Sequence, residues 1–155
     1  MKKMVLISIT LIIIISILGF FMIAWGISKN IGPYQKATVQ INDTDFNVRI
    51  AKSISQKIKG LSGYPALAQN EGMLFIYTNK NIPSFWMKDM NFPIDIIWID
   101  NDKIVDLTKN ISPNSYAKKE TFSPKLPIDK ALEIEAGSIE KYNLEIGSSI
   151  KITQK

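Results

Sequence analysis

Glu71 to Tyr77 reads EGMLFIY, and Ser84 to Asp100 reads SFWMKDMNFPIDIIWID. Within the second stretch, Ile94 to Asp100 alternates so that Asp95, Ile97 and Ile99 share one side of a strand while Ile94, Ile96 and Trp98 share the other. Both sides are apolar except for the aspartate, which is the pattern of a strand covered on both faces. Asn101-Asp102-Lys103 then turns the chain into Ile104 to Lys109 (IVDLTK), a hairpin. A strand buried on both sides, with Asp95 buried in it, is therefore expected.

Outward from this centre, Ala37 to Asn42 and Asp45 to Ala51 alternate apolar and polar residues around Asn42-Asp43-Thr44, a second hairpin. Ser53 caps a short helix with Gln56 placed to return the bond, and Gly60 ends it. Glu71 to Tyr77 and Ser84 to Lys88 are expected as strands. Ser112 to Pro127, holding Pro113, Pro124 and Pro127, is expected to be irregular. Ala131 to Glu135 (ALEIE) reads as a strand with one apolar face, Ser138 as the cap of a short helix through Leu144, and Ser149 to Thr153 as the last strand. The expected fold class is mainly β, a compact barrel or sandwich-like domain with two short helices.

Met4 to Ile27 is a run of 24 residues without a charged side chain. As a helix it would extend about 36 Å, enough to cross a hydrocarbon core of about 30 Å. Lys2 and Lys3 precede it, which favours a cytoplasmic N-terminus. The expected organisation is a cytoplasmic tip over 1–3, a transmembrane signal anchor over 4–27, a tether over 28–36 and an extracytoplasmic domain over 37–155. Ala24-Trp25-Gly26 also offers a small-x-small site, so a secreted domain released by signal-peptide cleavage is the alternative. A buried core helix fits poorly, because the run is apolar on every face.

The 155 residues include no cysteine and no histidine. Disulfides, thiolate nucleophiles and thiolate metal sites are excluded, and with them the usual imidazole base and zinc ligand. No metal and no cofactor are expected. Asp100-x-Asp102 does not continue into a calcium loop, and Asp100, Asp102 and Asp106 read as solvated acids at or after a turn. The net charge of +5 falls to +3 once Lys2 and Lys3 are set aside, and Arg49 is the single arginine. Lysines scattered among acids do not make a nucleic-acid face, so no nucleic-acid partner is expected.

Gly72-Met73-Leu74-Phe75, then Phe85-Trp86-Met87-Lys88, then Pro93-Ile94-Asp95 resembles the signature of the DUF192 family, and Leu132 to Ile152 resembles that family's ending. The resemblance spans roughly Ala37 to Thr153 and implies a compact, mainly β fold, frequent export and no established reaction. Two positions depart from the pattern, Ser62-Gly63-Tyr64-Pro65 after Gly60-Leu61, and Met90, where family members commonly carry threonine.

The candidate ligand-binding residues are Glu71, Trp86, Lys88 and Asp95. A buried aspartate needs a partner, and Lys88, across the Pro93 turn, is the expected one; Trp86 would lie beside the pair and Glu71 would complete a polar cluster. Three readings stay open. The first is a binding or interaction module for an envelope glycan, a peptide or a protein, with Trp86 as a stacking platform. The second is a carboxylate-dependent hydrolase of envelope polymers using Glu71 and Asp95. In the third, Lys88 and Asp95 only support the fold, as a buried pair or by capping backbone groups at a tight turn, and Trp86, like Met73, Phe75 and Phe85, is core.

Overall fold

The structure, a computed structural model, describes residues 31–154 together with Ser16. The expected anchor over 4–27 lies outside the described residues apart from Ser16, and among those described no helix is long and apolar enough to cross a membrane. The chain divides into two units, Met1–Pro33 and Tyr34–Lys155, and the β domain is the second.

Seven strands form one sheet: β1 (Gln35–Ile41), β2 (Thr44–Ala51), β3 (Glu71–Asn81), β4 (Ile94–Asp100), β5 (Lys103–Ile111), β6 (Ile128–Glu135) and β7 (Ile150–Gln154). Their order is β5-β4-β6-β3-β2-β1-β7, antiparallel throughout except for β2 and β3. That parallel pair requires a crossover, supplied by α1 (Ile54–Lys59) and the loop after it. The second helix, α2 (Ser138–Lys141), lies between β6 and β7. Both two-residue hairpins turn on an asparagine with positive φ, Asn42 at 53° and Asn101 at 54°, a conformation asparagine tolerates better than most residues.

The sheet is not closed into a barrel. Its edge strand β5 meets the residue just before the other edge strand, β7, at one bridge, Lys103 with Ser149. To extend this ladder along β5, residues 146–148 would have to run extended, and they do not: Ser148 N donates to Glu145 O in a turn, with Gly147 at φ +94°. The curled sheet still has a distinct inside. One apolar cluster draws on all seven strands, from Val39, Phe46 and Leu74 to Ile97, Ile104, Leu132 and Ile150. A second cluster lies on the outer face, where Met73, Phe75, Ile96 and Trp98 are covered by Leu61, Phe85 and Met87 from the connecting segments. Every residue from Ile94 to Ile99 is buried, as a strand between two cores requires.

Ser84 to Lys88 is not a strand. It crosses the outer face as an irregular segment held by one bridge, Phe85 with Phe122, and breaks at Asp89, whose φ is 55°. The alternation of its side chains persists: Phe85 and Met87 are buried, while Ser84, Trp86 and Lys88 face out. Phe85 packs edge-on against Phe75 (4.9 Å between centroids) and Trp98 (5.1 Å). Asp106 is buried rather than solvated, because its carboxylate accepts from Leu107 N (2.9 Å) and Lys125 N (3.1 Å) and so ties β5 to the proline-rich connection.

Asp95 is fully buried and its partner is backbone, not Lys88. Opposite Asp95, β5 carries a bulge: Ile94 pairs with Ile111 and Ile96 with Thr108, so one residue on β4 faces two on β5. Oδ1 of Asp95 accepts from Asn110 N at 2.8 Å, within that bulge, and Oδ2 accepts from Ile139 N at 3.0 Å, in the first turn of α2. The expected cap, Ser138, is already inside α2; the N-cap is Gly137, which has no side chain to offer, and Asp95 supplies the acceptor from 44 residues away. Replacing Asp95 by Ala leaves two N–H groups without their acceptor, the buried one of Ile139 at about 1–3 kcal/mol and the part-buried one of Asn110 at less. Lys88→Met should stay within about 0.5 kcal/mol of wild type and fail to rescue Asp95→Leu. Urea denaturation checks both, with faster amide exchange at Asn110 and Ile139 as the local signature; recovery in the double variant would reinstate the ion pair.

Candidate functional site

The four sequence candidates do not converge. Gly72 pairs with Ile134 and Ile134 with Asp95, so these three form one row on the inner face. Glu71, one residue from Gly72, therefore points to the outer face, on the other side of the sheet from Asp95. It borders a groove of about 240 Å³ with Lys36, Asn47 and Arg49, and its Oε2 accepts from Ala68 N at 3.4 Å. Lys88 is exposed, and its carbonyl accepts from the Ser62 hydroxyl. Trp86 is not core: it is 43% exposed. A Glu71/Asp95 dyad of glycosidase type has no geometry here, since the two acids face opposite ways and both oxygens of Asp95 are occupied.

Trp86 instead lines a cleft of about 160 Å³ on the outer face, built by α1, β3, β6 and the 84–90 segment. Local sequence sets α1 in place. The Ser53 side chain accepts from Gln56 N while the Gln56 side chain accepts from Ser53 N, and Gly60 closes the helix at φ +46°. Glycine suits that positive φ, and the helix end lies against the Phe75 ring, 3.4 Å from where a Cβ on Gly60 would stand. Phe75 and Phe85 form that floor, and Lys57 and Lys59 project from α1 around it.

The cleft also contains Glu133, which sequence reasoning missed. This residue is 5% exposed, and its Oε2 has no hydrogen-bond partner among the described residues. Its strand is the centre of the outer wall: Glu133 pairs with Met73 on β3 and with Ile96 on β4. Gly72 allows β6 this close, because a Cβ there would stand 2.5 Å from the Glu133 carbonyl oxygen. Burial pushes the Glu133 carboxyl up to about 8 from an ordinary 4.5. Tyr77, which also lines the cleft, is pushed up to about 12, by burial first and then by the negative charge Glu133 would carry. Lys57 Nζ sits 4.2 Å from the centre of the Tyr77 ring, and partial burial lowers its pKa.

At neutral pH the cleft therefore presents a protonated carboxyl as donor, two lysines and an aromatic floor, with the Trp86 indole at its side. The arrangement can orient a ligand by hydrogen bonding and stacking. Among the described residues no group of three acids could hold a metal ion. One signal for Glu133 was present in ALEIE: alternation puts Glu133 opposite Leu132 and Ile134, and only the strand order turns that polar side from solvent to a covered face.

Two solved structures share the fold. A proposed transcription regulator from Sinorhizobium meliloti 1021 is 23% identical, with a TM-score of 0.70, covering 77% of this chain and 95% of its own. A protein of unknown function from Novosphingobium aromaticivorans DSM 12444 is 22% identical, with a TM-score of 0.67, covering 79% of this chain and 89% of its own. No curated protein matches the chain. The profile of DUF192, described as "Uncharacterized ACR", matches residues 37–152, in agreement with the Gly72–Phe75, Phe85–Lys88 and Pro93–Asp95 motifs. This chain belongs to the DUF192 family.

Proposed function

We propose that the domain is a binding module, held outside the cytoplasm by a signal anchor over Met4–Ile27, and that its Glu133 cleft receives a small ligand or the end of an envelope glycan, peptide or protein. The observation that carries this is the unpartnered Glu133 carboxyl in an open cleft. A buried polar group without a hydrogen bond costs about 1–3 kcal/mol, and native proteins leave few such groups. Here the missing partner can come from solution, because the cleft opens beside the exposed Trp86. Hydrolysis by paired carboxylates is not part of the proposal, since Glu71 and Asp95 lie on opposite faces.

The free protein bears the burial of Glu133 as a pH-dependent loss of stability. Below about pH 4.5 the carboxyl is protonated in the folded and the unfolded chain alike. Between about 4.5 and 8 the unfolded chain ionises while the folded one holds its proton. The folded state then binds more protons, so stability falls as pH rises, at up to about 1.4 kcal/mol per pH unit, and levels off above 8. Urea midpoints at several pH values should show this slope in wild type and its removal in Glu133→Gln; equal slopes would mean that Glu133 ionises normally.

Ligand capture is tested by thermal shift on the full chain in detergent against muropeptides, amino sugars, uronic acids and aromatic acids. At least one class should raise Tm saturably at millimolar concentration, and Glu133→Leu and Trp86→Ala should abolish the shift. Silence of every class removes the proposal. For the anchor, protease added to intact cells should degrade the domain, and release from membranes should require detergent. Recovery in the medium of a chain beginning after Gly26 would show cleavage instead.

A further inference from the structure

The chemistry of the cleft narrows what it accepts, given that it is a binding site as proposed above. Its volume is about 160 Å³, close to the roughly 150 Å³ of an engineered cavity that holds one benzene. A single six-membered ring with a short substituent fits; a second ring would stand in solvent. The floor suits a ring, with Phe75 and Phe85 packed edge to face at 4.9 Å and Trp86 exposed beside them. Flat apolar or sugar faces stack well on such surfaces.

Charge chooses the substituent. Lys57 and Lys59 line the cleft, and neither is in an ion pair among the described residues. Glu133 is the one acid lining the cleft among the described residues, and it is 5% exposed with an orphan oxygen. A protonated Glu133 donates a hydrogen bond and adds no negative charge, so the lysines leave the cleft positive. A cationic ligand would meet both of them, and the Tyr77 ring face that could receive a cation already holds Lys57 at 4.2 Å. An anion meets two ammonium groups and one O–H donor. Hydrogen bonds from such donors to a carboxylate are among the stronger kind.

We propose that the ligand is a single-ring carboxylate, an aromatic acid or a uronic sugar, whose carboxylate accepts from the Glu133 carboxyl and lies beside Lys57 and Lys59 while its ring stacks between Trp86 and the Phe75/Phe85 floor. Binding then depends on the proton of Glu133. Tyr77 from β3 is electrostatically coupled to it, and Lys57 and Lys59 from α1 line the same cleft; β4 contributes Ile96, and the 84–90 segment lines the cleft with Ser84, Trp86 and Met90, none of which titrates. Lys57 loses its own charge more readily than a free lysine, so the Glu133 contribution is isolated by substitution.

The test is calorimetric titration of the full chain in detergent with benzoate, benzyl alcohol, benzylammonium, glucuronate and glucose. At pH 6.5 at least one carboxylate should bind ten or more times tighter than its neutral counterpart, and benzylammonium weakest of the aromatic set. Saturation by benzoate, by glucuronate or by both assigns the aromatic or the sugar source. The affinity should fall at least tenfold between pH 6.5 and 9.5, and by clearly less in Glu133→Gln, which keeps an N–H donor but has no proton to lose. Lys57→Met/Lys59→Gln should bring the carboxylate and its neutral analogue to within about twofold. Equal or tighter binding of the neutral or cationic probes, blocked by Glu133→Leu, would overturn the carboxylate while leaving the cleft a binding site. No binding by any of the five probes overturns it too, and if the broader ligand set is also silent the binding-site reading falls with it.

Discussion

One buried carboxylate holds three parts of this fold in register. Asp95 is fully buried in the row that joins β4, β6 and β3, and its two oxygens accept the N–H groups of Asn110 and Ile139. The first belongs to a bulge in β5, which frees a backbone donor inside the domain; the second belongs to a helix whose N-cap residue is glycine. Without it the Ile139 donor would be unpaired and buried, and the part-buried Asn110 donor would lose its partner. The bulge and α2 lie on the two chain segments that come together at the seam between β5 and β7, where the sheet stops short of closing. Asp95 thus links the irregular backbone on both sides of that seam.

The outer face depends on close approach instead. Gly72 lets β6 come near β3, and this brings Glu133 between Met73 and Ile96. Gly60 ends α1 over Phe75 at a positive φ that glycine adopts readily. Because the 84–88 segment crosses this face rather than joining the sheet, Trp86 stays outside the apolar layer that Phe85 and Met87 complete.

What could be read in the sequence was local. Asn42 and Asn101 mark hairpins because few residues adopt positive φ so readily, Ser53 and Gln56 mark a helix start because they satisfy each other's backbone, and Ile94 to Ile99 is apolar on both sides because both sides are covered. The candidate site was far less legible. Trp86 was among the candidates and lines the cleft, but Glu71, Lys88 and Asp95 lie elsewhere. The partners of Asp95 are backbone N–H groups 15 and 44 residues away, which carry no side-chain signature. Glu133 was not among the candidates because alternation says only that it opposes Leu132, and the order β4-β6-β3, which covers it, is a property of the whole sheet. Ser84 to Lys88 looked like a strand because aromatic and apolar side chains alternate there, yet alternation reports burial of every second side chain and not a ladder partner.

Asp95 and Glu133 make opposite uses of the same functional group. Both are acids buried in a mainly β domain, on adjacent strands and opposite faces. Asp95 has two acceptors and two donors to match, so its burial is compensated inside the fold and leaves nothing for a ligand. Glu133 has an orphan oxygen, a raised pKa and a wall of aromatics and lysines. An apolar side chain of similar size in its place would remove the uncompensated burial and stabilise the free protein. The acid therefore acts against the stability of the empty domain, and an occupant that accepts its hydrogen bond would recover what the fold alone leaves unmatched.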